Sequence, residues 1–140
     1  MKYLGLDLGT KTLGIAISET GLIASFYDSF RYDNEDELIS KIEEIVKKEK
    51  IDVVVLGLPI NMDGSLGFRA EETISFKDKL EGVLDKEVAL QDERLSTKVA
   101  TDVLIEADMS RKKRKGVIDG VSAVVILQTY LDRKDRNYDW

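Results

Sequence analysis

The sequence predicts an α/β fold in which one five-stranded mixed sheet, a three-stranded antiparallel meander extended by two parallel strands, is flanked by about four helices. Three observations carry this expectation. Between Lys2 and Tyr32 the chain holds three β-type stretches joined by short turns. From Asn34 onward the hydrophobic spacing alternates between helical and strand periods, the pattern of parallel strands joined by helical crossovers. The length of 140 residues, with 43% apolar and 34% charged residues and one proline, suits a single domain with one core over residues 1–140.

Each element has its own signal. Lys2 to Asp7 is nearly continuous apolar sequence, and the turn Gly9-Thr10-Lys11-Thr12 leads at hairpin distance into a second run, Leu13 to Ser18. Gly21 marks another turn, after which Leu22 to Tyr32, with Phe26, Tyr27, Phe30 and Tyr32, reads as a third strand. Leu38, Ile42, Ile45 and Val46 share one helical face between Asn34 and Lys50, with acids in the first turn, lysines in the last and a capping-box pairing of Asn34 with Glu37. Ile51 to Leu58 contains Val53-Val54-Val55-Leu56, too apolar to be half exposed, which predicts a central strand covered on both faces and ended by Pro59.

After the turn cluster Asn61 to Ser65, the spacing of Ala70, Ile74 and Leu80 predicts a helix closing at Gly82. Lys86 to Gln91 is a short strand running into Asp92-Glu93-Arg94, and Ser96 or Thr97 can cap a helix carrying Val99, Val103, Leu104 and Ala107. Val117 to Leu131 would suit a strand by its β-branched content, but so long a stretch without a turn signal predicts a helix. The charged tail, Asp132 to Trp140, is expected to fray. Three meandering strands followed by two more added through helices make the ribonuclease H-like layout.

Composition removes whole chemistries. With no histidine and no cysteine there is no Ser-His-Asp or Cys-His nucleophile, no histidine base, no Cys/His zinc site and no disulfide. Carboxylates, lysines and hydroxyls must carry any catalysis. No stretch reaches the ~18 apolar residues of a membrane span, and the apolar start is too short for a signal segment, so a soluble cytoplasmic protein without membrane partners is expected. The formal charge of −6 argues against blanket attraction to nucleic acid, yet Arg111-Lys112-Lys113-Arg114-Lys115 concentrates five positive charges in one place.

Three acids stand out by context. Asp7 lies in an apolar strand between Gly5 and Gly9, where an uncompensated carboxylate costs several kcal/mol. It either takes hydrogen bonds from the Gly9 to Thr12 turn and fixes the hairpin, or faces a cation. Asp92 and Glu93 end a strand, where open α/β sheets place their sites, although acids at such corners also serve the field of a following helix. Asp119 shares a helical face with Ala123 and Ile126 and would lie against the sheet, or else stabilises its helix N-terminus by about 0.3–1 kcal/mol. If the three meet, their oxygen-only cluster suits Mg²⁺ or Mn²⁺, and such ions can activate water against a phosphodiester. Around them, Gly9 and Thr10 can present donors to an anion, the loop from Pro59 to Arg69 follows the end of a central strand, and the basic run just ahead of Asp119 can seat a polyanion or simply be a solvated face.

Four ordered blocks resemble one family. Gly5-Leu-Asp-Leu-Gly-Thr-Lys11, Gly57-Leu-Pro-Ile-Asn-Met-Asp-Gly64, Asp92-Glu-Arg-Leu-Ser-Thr97 and Ser110-Arg-Lys-Lys-Arg-Lys-Gly-Val-Ile-Asp119 are similar to the YqgF/RuvX family of pre-16S rRNA nucleases, also described as Holliday-junction resolvases. The resemblance implies a ribonuclease H-like fold, metal-dependent nuclease chemistry, a cytoplasmic setting and processing of the 5′ end of precursor 16S rRNA. It carries over Asp7, Glu93 and Asp119 as catalytic metal ligands, with Asp92 able to share or replace the part of Glu93. Thr10, Lys11, Asn61, Arg69, Arg94 and Arg111 to Lys115 become candidate substrate contacts. Thr12 departs from the Lys-Arg that often follows the family's Gly-Thr, and Phe68 stands where proline is common. Structured RNA is favoured over DNA junctions, with the protein a monomer or a homodimer. A resolvase would act as a dimer. Two other classes stay open: an actin-like ATPase, whose first phosphate loop the Asp-Leu-Gly-Thr hairpin also resembles but which needs two domains, and a binding domain without turnover.

Overall fold

A computed structural model describes residues 1–94 and 111–138, with side chains described for 1–94 and 121–134. In chain order the elements are β1 (Tyr3–Leu8), β2 (Thr12–Ser18), β3 (Ser25–Arg31), α1 (Glu35–Glu49), β4 (Val53–Leu58), α2 (Phe68–Leu84), β5 (Glu87–Asp92) and α3 (Arg111–Tyr138). The strands form one five-stranded sheet in the order β3-β2-β1-β4-β5. β1 runs antiparallel to β2 and β2 to β3, whereas β4 lies parallel to both β1 and β5. The expected mixed sheet is therefore present, with three helices among the described residues rather than about four; the helix expected over 96–107 lies outside them.

Alternation along the central strands divides the core in two. Leu4, Leu6, Val54 and Leu56 point to one face and pack with Leu38, Ile42, Ile45 and Val46 of α1 and Phe76, Leu80 and Leu84 of α2. Tyr3, Val53 and Val55 point to the other, where Ala123, Ile126, Leu127 and Leu131 of α3 cover them. Truncating a fully buried residue such as Ile42 to alanine should cost about 2–5 kcal/mol.

α1 starts where Asn34 Oδ1 accepts the Glu37 amide at 2.8 Å, one half of the expected capping box. Its C-cap is Lys50, left-handed at φ 56°. α2 corrects the expectation that it closes at Gly82: it continues to Leu84 and is capped by Asp85, also left-handed at φ 54°. Leu80 and Leu84 both face the core, so their burial carries the helix past a glycine that has open space around it.

α3 is longer at both ends than the expected Val117 to Leu131. The basic run forms its first turns, since lysine and arginine are strong helix formers and Gly116 alone does not interrupt them. At the other end the helix runs to Tyr138 where a frayed tail was expected. Tertiary anchors explain the extension. Leu131 is fully buried, Arg133 donates to Gln91 Oε1 at 3.1 Å, and Lys134 hydrogen-bonds the Tyr3 hydroxyl while its ammonium sits 4.6 Å from that ring's centroid. Further along, the Gln128 amide clamps the segment before β3, accepting from Ala24 N and donating to Leu22 O, each at 2.9 Å.

The approach of α3 to β1 depends on Gly5. A Cβ there would lie 2.7 Å from Leu127 Cβ and 3.2 Å from the Ala123 carbonyl oxygen. A glycine within a strand often marks such a close backbone approach.

Candidate active site

The parallel register brings two acids to one edge of the sheet. Asp7 is the next-to-last residue of β1, and Glu93 follows the last residue of β5. β4 lies between, paired with β1 at Leu6 and Leu56 and with β5 at Leu58 and Asp92. Glu93 N donates to Leu58 O at 3.1 Å, which fixes the chain as it leaves the sheet. Two inter-strand spacings, about 9–10 Å, separate the backbones, and the side chains close that gap by meeting over β4. Gly57 makes the crossing possible: a Cβ on it would sit 2.5 Å from Glu93 Oε2 and 2.7 Å from Ile126 Cδ1.

The Asp7 and Glu93 side chains are hydrogen-bonded. Two carboxyls can share such a bond only if one holds a proton. Burial pushes the Glu93 carboxyl above the ordinary glutamate value; the bond to Asp7 and the nearby Arg69 guanidinium oppose the shift, and Asp92 adds to it. Arg69, in the first turn of α2, also donates to the Leu8 carbonyl at 3.3 Å and so ties α2 to the end of β1.

Asp92 has a different role. Its two oxygens accept the Arg94 amide and Nε, each at 2.8 Å, and Arg94 Nη2 also lies 2.8 Å from Asp92 Oδ2. Burial works against its ionisation, but the Arg94 hydrogen bonds and charge, helped by Arg133, outweigh it and hold the carboxyl below its usual value. Of the two adjacent acids, the structure brings Glu93 to Asp7 and holds Asp92 against Arg94.

The third acid belongs to α3, and its side chain is outside those described. Along this helix Tyr130 and Lys134 meet Tyr3, and Ala123 and Leu127 meet Gly5. The helix therefore runs against the direction of β1, and residue 119 lies one turn beyond Ala123 toward the Asp7 end. Among the described residues no three acids group closely enough to hold a metal ion.

The other expected contacts are placed as follows. Thr10 and Lys11 are exposed in the β1–β2 turn, which is held by Gly9 N donating to Thr12 O at 2.8 Å and by Tyr32, whose hydroxyl donates to Gly9 O at 2.6 Å and whose amide donates to Lys11 O at 3.0 Å. The Asn61 amide donates to Ser65 Oγ at 3.1 Å and works within its own loop. Arg111 to Lys115 form the N-terminal end of α3. Sequence reasoning gave Gly57 and Tyr32 no part in shaping the site and missed Gln128. An isolated glycine beside Val53-Val54-Val55-Leu56 was a usable signal for the first; nothing local distinguished the other two.

A ribonuclease H-like sheet with a paired-carboxylate edge is the class that this geometry defines, and comparison with known proteins agrees. The RuvX family model, described as Holliday junction resolvase, matches residues 1–133. The chain belongs to that family. It is 51% identical over 135 residues to a Staphylococcus carnosus (strain TM300) protein named "Putative pre-16S rRNA nuclease", covering 94% of this chain and 95% of that one. A Bacillus cytotoxicus protein of the same name is 48% identical over 137 residues, covering 96% and 100%. Among solved structures, the fowlpox virus resolvase in complex with Holliday junction DNA superposes with a TM-score of 0.61 at 15% identity, over 95% of this chain and 98% of that one. Thermus thermophilus RuvC in complex with a Holliday junction substrate gives 0.60 at 12% identity, over 96% of each. At such identities the likeness is one of fold. Among the described residues no helix is long and apolar enough to cross a membrane.

Proposed function

We propose that this chain is a metal-dependent nuclease that hydrolyses phosphodiester bonds in structured nucleic acid, processing the 5′ end of precursor 16S rRNA in the cytoplasm, with one domain carrying the activity. The observation that carries the reading is the half-buried Asp7–Glu93 carboxyl pair, joined over Gly57. A proton shared between two carboxyls occupies the place that a cation can take, and an oxygen-only donor set in a chain without histidine or cysteine fits Mg²⁺, with Mn²⁺ as substitute, better than zinc. Asp7, Glu93 and Asp119 would hold the ion. When bound, it supplies electrophilic stabilisation of the charge that builds on the phosphoryl oxygens.

The chain's own residues do the rest. Arg69 places a positive charge beside Glu93, where it can meet a phosphate oxygen, and the exposed Thr10 and Lys11 border the same edge of the sheet. Asp92 orients Arg94 through both carboxylate oxygens, which leaves the rest of that guanidinium for substrate. Five basic residues open α3 with no acid in its first turn, against the preference of a helix N-terminus for negative charge. A nucleic-acid backbone supplies that charge.

The test is cleavage of a precursor rRNA segment and a four-way DNA junction, side by side, in Mg²⁺ and in EDTA. Metal-dependent cutting of the RNA supports the reading; full activity in EDTA, or none in Mg²⁺ or Mn²⁺, overturns it. The family's description favours a second reading, in which the same site cuts DNA junctions. That reading requires a dimer in solution so that two strands are cut symmetrically.

A further inference from the structure

We propose that the groove between α1 and α2, which Arg69 links to the sheet edge carrying the carboxyl pair, receives one unpaired nucleotide of the substrate, with its base stacked on Phe68. The proposal rests on the nuclease reading and narrows its substrate to strands opened at the cleavage point, since a base inside a continuous duplex has no free face to offer.

Phe68 is 76% exposed, the most exposed large hydrophobic side chain among the described residues. It opens α2, next to Arg69, and lies on the rim of a groove of about 440 Å³ formed with Gly9, Thr10, Tyr32 and Phe76. That volume falls within the roughly 300–1,000 Å³ of clefts that hold a small ligand. Two features give the groove a direction. Arg69 is the one cation among its described lining residues, and it reaches the active site through its bond to Leu8 O and its charge on Glu93. Glu35 and Glu72 also line the groove, so a phosphate is welcome only at the Arg69 end. A nucleotide entering there sets its phosphate at Arg69, by the sheet edge where the strand carrying Asp7 ends, and its base against Phe68.

The loop leading to Phe68 is preformed. Asn61 N donates to Ser65 O at 3.0 Å, Gly64 N to Asn61 O at 2.8 Å, and Asp63 Oδ1 accepts from both Ser65 N and Ser65 Oγ. Met62 and Leu66 nevertheless stand 68% and 52% exposed on it. Phe68, exposed where this internally bonded loop enters α2 and next to the Arg69 cation, is the kind of platform on which unpaired bases stack.

The test uses an RNA hairpin with 2-aminopurine placed either in a short unpaired 5′ extension or in the stem, and compares wild type, Phe68→Ala, Phe68→Tyr and Phe68→Trp in EDTA. In wild type the fluorescence changes on binding only when the probe is in the extension. Phe68→Ala loses this response and about ten-fold in affinity for the extended hairpin, with affinity for a blunt duplex unchanged, and the aromatic variants restore both. No response in wild type, or equal weakening for the two RNAs in Phe68→Ala, overturns the proposal. Cleavage in Mg²⁺ is followed in parallel. Cleavage without a fluorescence response removes the stacking site and leaves the nuclease reading intact; a Phe68-dependent response without cleavage of any substrate supports the stacking site and removes the nuclease reading.

Discussion

Burial raises the Glu93 carboxyl above the ordinary glutamate value, and that shift has a measurable sign. A carboxyl whose folded value is raised contributes stability that is fully present below the unfolded value and lost as pH climbs through the folded one. Without metal, the wild-type protein should therefore lose stability from the ordinary glutamate value of 4.5 upward. Glu93→Gln keeps a partner for Asp7 without the charge. In EDTA its melting temperature at neutral pH should equal or exceed that of wild type, with a flatter pH profile, while cleavage in Mg²⁺ is abolished; a lower apo melting temperature would assign Glu93 a purely structural part. Gly57→Ala tests the crossing itself. Its new Cβ meets first the ends of the Glu93 and Ile126 side chains, so the fold should tolerate it, but displacing the Glu93 carboxylate by about 1 Å should lower turnover roughly 100-fold. Asp7 was legible in the sequence because a carboxylate in an apolar strand needs a reason. The choice between Asp92 and Glu93 was not, because it depends on which neighbour each finds in space: Arg94 two residues on for one, and Asp7 from another strand for the other.

At the level of elements, α3 is the part that the sequence described least well. Its β-branched middle and the glycine at position 116 obscured both boundaries, and its extension depends on contacts with Tyr3 and Gln91, far away in the chain. The meander, α1 and β4 were legible because hydrophobic period, cap residues and turn glycines agree there with the tertiary packing. The Gly5 contact fixes how closely α3 lies on β1, and through it the height of residue 119 above the sheet. Gly5→Ala would push against Leu127 Cβ and the Ala123 carbonyl, which cannot rotate aside, so it should destabilise the fold by about 1–3 kcal/mol by thermal or urea unfolding. It should also weaken catalysis more than its stability loss accounts for. Unchanged stability would show that α3 docks less tightly than this contact implies.

Across the whole molecule, charge and strain are kept apart. An acidic chain with net charge −6 places five basic residues at one helix end, so affinity for nucleic acid should rest on that end. Replacing three of Arg111 to Lys115 by glutamine should weaken binding to any sequence and flatten the log-log salt dependence by about 0.7–0.9 per lost contact, with turnover at saturation largely kept. Filter binding at several salt concentrations reads this directly, and an unchanged slope would remove the run from the site. The two left-handed caps, Lys50 and Asp85, precede β4 and β5, whereas the carboxyl pair lies where β1 and β5 end. A lysine in that conformation carries a steric penalty of about 1–2 kcal/mol that glycine avoids. Lys50→Gly should raise the melting temperature by a few degrees with kcat unaltered. Robustness in this fold can thus be selected at one pole without disturbing the other, so heat tolerance and catalytic rate are free to evolve as separate traits.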